Sequence, residues 1–304
     1  MKTAPILLFV YNRLDTLTKA IRSLQQNSLA GESELFIFSD HPRAEKDAAA
    51  VAAVRAYIRT IDGFRRVQVR EAQQNMGLAS AIITGVSEII ERYGKVIVIE
   101  DDLETSMNFL SFMNGALDHY RDTSDVFSVG GYTKPMTGLP TDSVYFTMRA
   151  TSWGWGTWKD RWQAIDWEVS DYQHFRGNKE VRKAFNRMGS DLSSMLDRQM
   201  NGEINSWAIR FCYHQFRQRQ YTVFPAVSKV NNIGFSASAT HTKDRFNRFG
   251  TLLDATGNNI FHFPDVVRTD SRFVRRFRRP YSLPVRITYK LLNTFARLAL
   301  PRSN

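Results

Sequence analysis

Short apolar runs alternate with segments of helical periodicity along the first hundred residues. Residues 6–10, 34–38 and 95–99 are largely apolar, as is typical of strands buried on both faces of a parallel sheet. Between them, residues 14–27 and 77–93 repeat apolar positions every three or four residues, which predicts helices. This alternation predicts an α/β fold with a mostly parallel sheet flanked by helices.

The pattern is less regular in the second half of the chain. Apolar positions predict helices over 106–120 and, with interruptions, over 178–218. Strands are predicted near 126–131 and 223–230. We find no internal repeat or low-complexity linker, so one continuous domain is expected to extend beyond the βαβ half.

Basic residues are concentrated at the C-terminus. Residues 268–304 hold ten of the 41 Lys and Arg but one of the 30 Asp and Glu, so this tail carries +9 of the net +11. After Pro284, basic and apolar residues separate onto two helical faces. This pattern predicts an amphipathic helix on an anionic membrane surface. A helix that packs on the domain with solvated arginines is the alternative, and the sequence contains no recognised module for specific nucleic-acid binding.

Leader and cysteine signals are weak. Cys212 is the single cysteine, so neither a disulfide framework nor a cysteine-rich zinc site is expected. The first apolar run has five residues before Asn12 and Arg13, which is too short for a signal peptide. We therefore expect a cytoplasmic location, or a peripheral one on the inner face of the plasma membrane.

Polar clusters follow three of the predicted strands. They are Asn12-Arg13, Ser39-Asp40 and Glu100-Asp101-Asp102. Ligands of such sheets bind beyond the carboxyl ends of the strands. Three successive acids at a buried strand end repel one another unless a cation or hydrogen bonds compensate. The acids therefore predict a divalent metal site with Asp102 as the best ligand, although some of them could cap the following helix.

These segments resemble a GT-A (Rossmann-like) glycosyltransferase, and in particular the N-acetylglucosaminyltransferase I family, over about residues 4–245. The resemblance implies that Arg13 faces the donor diphosphate and that Asp40 contacts the uracil. It further implies that Glu100 and Asp101 contact the donor and that Asp102 holds Mn2+ or Mg2+.

Two further segments resemble donor-binding motifs. The loop from Gly234 to His241 resembles the late loop that covers the donor phosphates, which implies a donor contact for Thr240 and a metal or diphosphate contact for His241. The segment at Asn75 resembles the Asn-x-Gly-x-x donor segment of family 2 glycosyltransferases. A turn that opens the next helix is the alternative for that segment, and a structural role is the alternative for His241.

A run of tryptophans and glycines at 152–158 is the candidate acceptor region. Glycines beside indole rings suit a loop that closes over a sugar, and galactosyltransferases of the same fold carry a similar run. Trp153 and Trp155 are therefore the predicted acceptor contacts. A core strand filled by tryptophans is the alternative.

The catalytic base of an inverting transferase is an acid that takes the acceptor proton. In the N-acetylglucosaminyltransferase family this acid lies in a Trp-Asp-Asp-Trp segment, but residues 204–207 contain none. Glu203 and Asp160 are the candidates, and both could instead be surface acids. The departure also leaves a retaining mechanism open.

The sequence thus predicts a metal-dependent glycosyltransferase that moves a sugar from a nucleotide-sugar donor, UDP-linked, to a glycan or lipid-linked acceptor in bacterial surface polysaccharide synthesis. Its predicted parts are a nucleotide-sugar-binding half, 1–104, an acceptor half of the same domain, 105–262, and a basic amphipathic tail, 263–304. The alternatives are a sugar nucleotidyltransferase and a non-catalytic, membrane-associated protein of the same fold.

Overall fold

A computed structural model describes residues 2–234 and 246–299, with ten strands and eleven α-helices. The strands are β1 Ile6–Val10, β2 Glu34–Ser39, β3 Arg66–Glu71, β4 Lys95–Glu100, β5 Leu103–Thr105, β6 Val126–Gly130, β7 Val144–Thr147, β8 Trp155–Trp158, β9 Tyr221–Pro225 and β10 Val230–Asn232. The helices are α1 Leu14–Gln25, α2 Ala48–Ile58, α3 Leu78–Tyr93, α4 Phe109–His119, α5 Lys159–Gln163, α6 Tyr172–Gly177, α7 Lys179–Phe185, α8 Leu192–Met200, α9 Trp207–Arg217, α10 Ser271–Arg278 and α11 Leu283–Ala299.

Eight of the strands form one sheet in the order β3-β2-β1-β4-β8-β6-β9-β7. The first four strands are parallel, and β6 pairs with β9 in parallel as well. Helices cover both faces, because Ile6, Leu8 and Val10 pack with α1 and α4 while Leu7 and Phe9 pack with α3 and α9. The predicted α/β class, with a mostly parallel sheet between helices, is confirmed.

Strand β8 runs against the direction of β4, its neighbour in the middle of the sheet. Lys95 pairs with Trp158 and Val98 pairs with Trp155. Because the two strands are antiparallel, the chain leaves β8 beside the start of β4. We call the side of the sheet where β1, β2 and β4 end the carboxyl edge, and the opposite side the amino edge. Residues after Trp158 therefore lie at the amino edge.

A small two-stranded ribbon lies next to the carboxyl edge. Strands β5 and β10 pair antiparallel, with Leu103 opposite Asn232. The backbone N–H of Ile233 also donates to the carbonyl oxygen of Asp102 at 2.9 Å. The ribbon thus carries the chain at residues 232–234 over the acids that follow β4.

The C-terminal tail is helical, as predicted, and packs on the body of the protein. In α10, Phe273 and Phe277 are buried against aromatic rings of the sheet. In α11, Asn293 is buried and exchanges two hydrogen bonds with the backbone of Phe246, at 2.8 and 3.1 Å. The apolar stripe of α11 faces outward instead. Its exposed members are Leu283, Ile287, Leu291 and Phe295.

Candidate active site

The carboxyl edge brings one arginine to the acids that follow β4. Arg13 lies after β1, whose residue Phe9 pairs with Glu100 in the adjacent strand. The Arg13 guanidinium bonds Asp101 at 2.6 Å and Asp102 at 2.9 Å. Asp101 also accepts a hydrogen bond from the backbone N–H of Tyr11 at 3.2 Å. The parallel register therefore gathers residues about 90 positions apart into one charged cluster.

Negative charge exceeds positive charge in this cluster. Burial raises the pKa of Asp101 to about 6, although Arg13 opposes that change. Burial also raises the pKa of Glu100 well above its ordinary value, and the charges of Asp102 and Asp101 add to the effect. One guanidinium does not offset three acids, so an additional cation is electrostatically favoured here.

Gly234 lets the backbone bend closely over this cluster. A Cβ atom at Gly234 would lie 2.3 Å from an Asp102 carboxylate oxygen and 2.8 Å from Arg13 Nη1. Asn232 fixes this bend, because its side-chain oxygen accepts the Gly234 N–H at 2.8 Å. Any larger residue would displace the charged groups, so backbone passes close to them only because position 234 is a glycine.

The predicted donor residues Asp40 and Asn75 lie together on a neighbouring wall. The Asp40 carboxylate accepts the backbone N–H groups of Met76 and Gly77, each at 2.9 Å, and the Asn75 amide at 3.2 Å. Gly77 has φ +70°, which favours glycine. Asp40 therefore holds the loop that precedes α3 against the end of β2.

Tyr11 is a site residue that the sequence analysis did not name. Its hydroxyl donates to Asp47 at 3.0 Å and accepts from the Arg43 backbone N–H at 2.8 Å. Burial and the neighbouring Asp47 raise the pKa of Tyr11, so the phenol stays neutral. The signal that could have identified Tyr11 is its place directly after β1, at a strand end like those of the predicted polar clusters.

These groups surround an open crevice of about 730 Å³ at the carboxyl edge. One wall carries Arg13, Asp40, Asn75 and the three acids, and the opposite wall comes from the second half of the chain. The residues of that opposite wall are Ser152, Trp153, Glu203, Asn205, Ser206, Trp207 and Ala208. Volumes of 300 to about 1,000 Å³ are usual for small-molecule sites.

Glu203 is the acid that the second half contributes to the crevice. Its carboxylate accepts from Arg198 Nε at 3.3 Å and from the Asn201 amide at 3.2 Å. The side chain is 52% exposed, so an incoming molecule can reach it. Glu203 therefore combines a defined orientation with access to the crevice.

Two predicted site residues lie elsewhere, and both predictions are wrong in this structure. Asp160 follows β8 at the amino edge, where its side chain is 71% exposed and paired with Arg161 at 2.8 Å. Trp155 is 1% exposed and stacks between Trp162 and Trp207 in the core. Trp155 is in the core because β8 lies between β4 and β6 in the middle of the sheet. Asp160 is far from the acids because β8 is antiparallel to β4 and ends at the amino edge.

Thr240 and His241 lie outside the described residues. Within residues 2–234 and 246–299, no group of three or more His, Cys, Asp or Glu side chains is placed to hold a metal ion. No helix in this same part of the chain is long and apolar enough to cross a membrane.

No protein-family model and no curated protein matches the chain. Among solved structures, S. aureus TarS 1–349 is 10% identical over 76% of this chain and 60% of that chain, with a TM-score of 0.41. TarS 1–349 in complex with UDP-GlcNAc is 13% identical over 45% and 37%, with a TM-score of 0.32. Mannosyltransferase PcManGT from Pyrobaculum calidifontis, in complex with GDP-Man and Mn2+, is 11% identical over 52% and 45%, with a TM-score of 0.38. This chain spans less than two thirds of each of these structures, and the similarities are too low to assign a family.

Proposed function

We propose that the protein is a metal-dependent GT-A glycosyltransferase that uses a UDP-linked sugar donor. The observation that carries this proposal is the cluster of Arg13, Asp101 and Asp102 beneath Gly234. This cluster opens into a crevice that is large enough for a nucleotide sugar. It lies beyond the carboxyl ends of parallel strands, which is the usual ligand position in such sheets.

The donor occupies the wall formed by the first half of the chain. The crevice beside Gly234 admits the diphosphate to the cluster, where Arg13 supplies positive charge. Asp40 and Asn75 shape the neighbouring wall for the base, since they hold the loop at Gly77. Asp101 orients Arg13 through their ion pair of 2.6 Å. The donor contacts proposed for Glu100 and Asp101 rest on the resemblance. The contacts proposed for Thr240 and His241 rest on the resemblance alone.

A divalent cation fits the donor atoms that this wall offers. Mn2+ or Mg2+ takes one or two carboxylates and completes its shell with water and substrate phosphates. Asp102 offers such a carboxylate, and its side chain is 14% exposed beside the crevice. The remaining ligands would come from the donor diphosphate and water. When bound, the metal supplies positive charge that stabilises the leaving diphosphate.

Glu203 is the proposed catalytic base of an inverting reaction. It faces the crevice from the acceptor wall, and Arg198 and Asn201 orient its carboxylate. In this role it takes the proton of the acceptor hydroxyl as that oxygen attacks the sugar. Trp153 offers a flat ring on the same wall for the acceptor sugar. Its ring is held edge-to-face against Tyr132 and Phe249, at centroid distances of 4.7 and 5.6 Å.

The C-terminal tail is the proposed membrane contact, which places a glycan or lipid-linked acceptor of surface polysaccharide synthesis near the site. Helix α11 turns Ile287, Leu291 and Phe295 outward, and α10 exposes a row of arginines. Apolar side chains beside basic ones are what an anionic bilayer surface binds. Sedimentation with phosphatidylcholine vesicles, with and without phosphatidylglycerol, tests this. Binding should require the anionic lipid and weaken in Leu291→Ser. The division of the chain at 104 and 262 stays a prediction.

Calorimetric titration of UDP, with and without Mn2+, tests the proposed donor site. Wild-type protein should bind UDP more tightly with the metal, and Asp102→Ala should lose that dependence. UDP binding in neither protein would refute the UDP donor. Binding of UTP together with a sugar 1-phosphate, followed by pyrophosphate release, would instead identify a nucleotidyltransferase.

A further inference from the structure

A second cavity of about 180 Å³ lies next to the crevice, and we call it the side pocket. Ser152, Trp153 and Ala208 line both cavities, so the side pocket is continuous with the acceptor wall. Its remaining walls come from residues 149–151, from helices α8 and α9, and from Phe249 and Tyr281. A molecule that contacts Trp153 in the crevice therefore lies next to this pocket.

Most of the free surface of the side pocket is apolar. Leu192, Met195, Ile209 and Phe249 are among the apolar side chains that line it. Large apolar side chains that line a small cavity favour an apolar occupant, because neither surface then loses hydrogen bonds to water.

Arg149 and Cys212, which also line the side pocket, already have partners within the protein. Arg149 makes two hydrogen bonds of 2.9 Å to the Asp191 carboxylate and stacks on the Tyr281 ring at 3.7 Å. The Cys212 thiol donates to the Ala150 carbonyl at 3.7 Å, and burial raises the pKa of Cys212 so that the thiol stays uncharged. A charged or strongly polar ligand would find no unpaired group of Arg149 or Cys212 to replace its water.

We infer that the side pocket binds an apolar group of the acceptor, a short alkyl segment or an aryl ring next to the sugar that presents the reacting hydroxyl. The volume suits such a group, since an apolar cavity of roughly 150 Å³ holds benzene. This inference rests on the proposed glycosyltransferase function and narrows its acceptor to an amphiphilic glycoside. Trp153 then contacts the sugar at the pocket mouth, and the aglycone extends towards Met195 and Tyr281.

Hexyl β-D-glucoside and methyl β-D-glucoside are the probes for this inference. Both are titrated into the whole protein with UDP and Mn2+ present, below the concentration at which the hexyl glycoside forms micelles. Each methylene that becomes buried should tighten binding about fourfold, so the hexyl glycoside should bind more than tenfold more tightly. The methyl resonance of Met195, assigned by its loss in Met195→Leu, should shift only with the hexyl glycoside.

Met195→Trp fills the side pocket and should abolish the advantage of the hexyl chain, while Met195→Leu keeps the volume and should retain it. Ile287→Ser removes part of the exposed α11 stripe and controls for binding of the alkyl chain at that surface. Equal affinities for the two glycosides, a hexyl advantage that survives Met195→Trp, or a Met195 methyl signal that the hexyl glycoside leaves unshifted in the wild type would overturn the inference. UDP titration of each variant runs alongside, so that a failed donor site is seen separately from a failed side pocket.

Discussion

The two edges of the large sheet each carry a charged cavity, of about 730 Å³ at the carboxyl edge and 630 Å³ at the amino edge. At the amino edge each acid that lines the cavity has its own basic partner: Asp160 pairs with Arg161, Asp122 with Arg121 and Asp118 with Lys95. At the carboxyl edge buried acids converge with a single arginine from another strand. Cavities of similar size therefore differ in chemistry, and the unbalanced buried charge distinguishes a candidate site from a solvated surface.

The largest difference between the edges should appear in catalysis. Glu203→Gln removes the proposed base and should lower the turnover of the preferred UDP-sugar by about 10²–10⁴-fold. Asp160→Asn, at the opposite edge, should leave turnover within about twofold. Steady-state release of UDP measures both variants. A Glu203→Gln enzyme as fast as wild type would remove Glu203 from the mechanism. A slow Asp160→Asn enzyme would contradict the assignment of catalysis to the carboxyl edge.

Two tryptophans of the run at 152–158 differ in position, because Trp155 is buried in the core and Trp153 lines the crevice. Trp155→Ala should lower the free energy of unfolding by about 3–5 kcal/mol, because it empties a fully buried position. Trp153→Ala should cost roughly 1–2 kcal/mol, since that ring is half-buried at the crevice and loses mainly its aromatic contacts. Urea unfolding followed by circular dichroism gives both values. A Trp155→Ala protein as stable as Trp153→Ala would contradict the core position of β8.

Gly234→Ala tests how closely the backbone must approach the acids. The new Cβ would lie 2.3 Å from the Asp102 carboxylate, so Asp102 or the chain must move. We expect metal-dependent UDP affinity to fall about 10–100-fold, a loss of the size seen when groups around metal ligands are altered. Gly31→Ala is the matched control, because nothing lies within 4 Å of its Cβ position. Unchanged affinity in Gly234→Ala would show that donor binding does not depend on the close approach of Gly234 to Asp102.

Asp254, a buried acid near the same ribbon, is paired with Lys229, and its pKa is shifted in the opposite direction to that of Asp101. Burial alone would raise the pKa of Asp254, but hydrogen bonds from Lys229, Asn108 and Thr256 lower this pKa to about 2. The folded-state pKa is thus below the unfolded value of about 4, so this acid stabilises the fold above pH 4. As the pH falls from about 4 to 2, roughly 2 kcal/mol of stability should be lost. Urea unfolding at several pH values should show a smaller acid loss in Asp254→Asn, and an identical loss would contradict this assignment.

The smallest effect should come from the amino edge itself. Asp160→Asn breaks an ion pair whose acid is mostly exposed, and such pairs contribute about 0–1 kcal/mol. The melting temperature should therefore change little, and less at high salt. A loss of several kcal/mol would mean that the amino edge is not the solvated surface described above.

Apolar runs and helical periodicity predicted the fold of the first hundred residues, where these patterns are regular. Strands β1 and β4 and helix α3 follow from apolar runs and periodicity, and parallel pairing then places Arg13 near Asp102. The direction of β8 could not be predicted, because a tryptophan-glycine run does not specify its sheet neighbour. That missing long-range pairing accounts for the wrong predictions at Asp160 and Trp155. Strands β5 and β10 have three residues each, too few for a detectable alternation, so Asn232 was also missed.

The most direct test of the central claim follows Mn2+ by electron paramagnetic resonance as UDP is added. We expect one UDP-dependent Mn2+ site in the wild type and in Asp160→Asn, and its loss in Asp102→Asn. Circular dichroism spectra of the three proteins establish that each is folded. Retention of the site in Asp102→Asn, or its loss in Asp160→Asn, would contradict the assignment of donor and metal binding to the carboxyl edge.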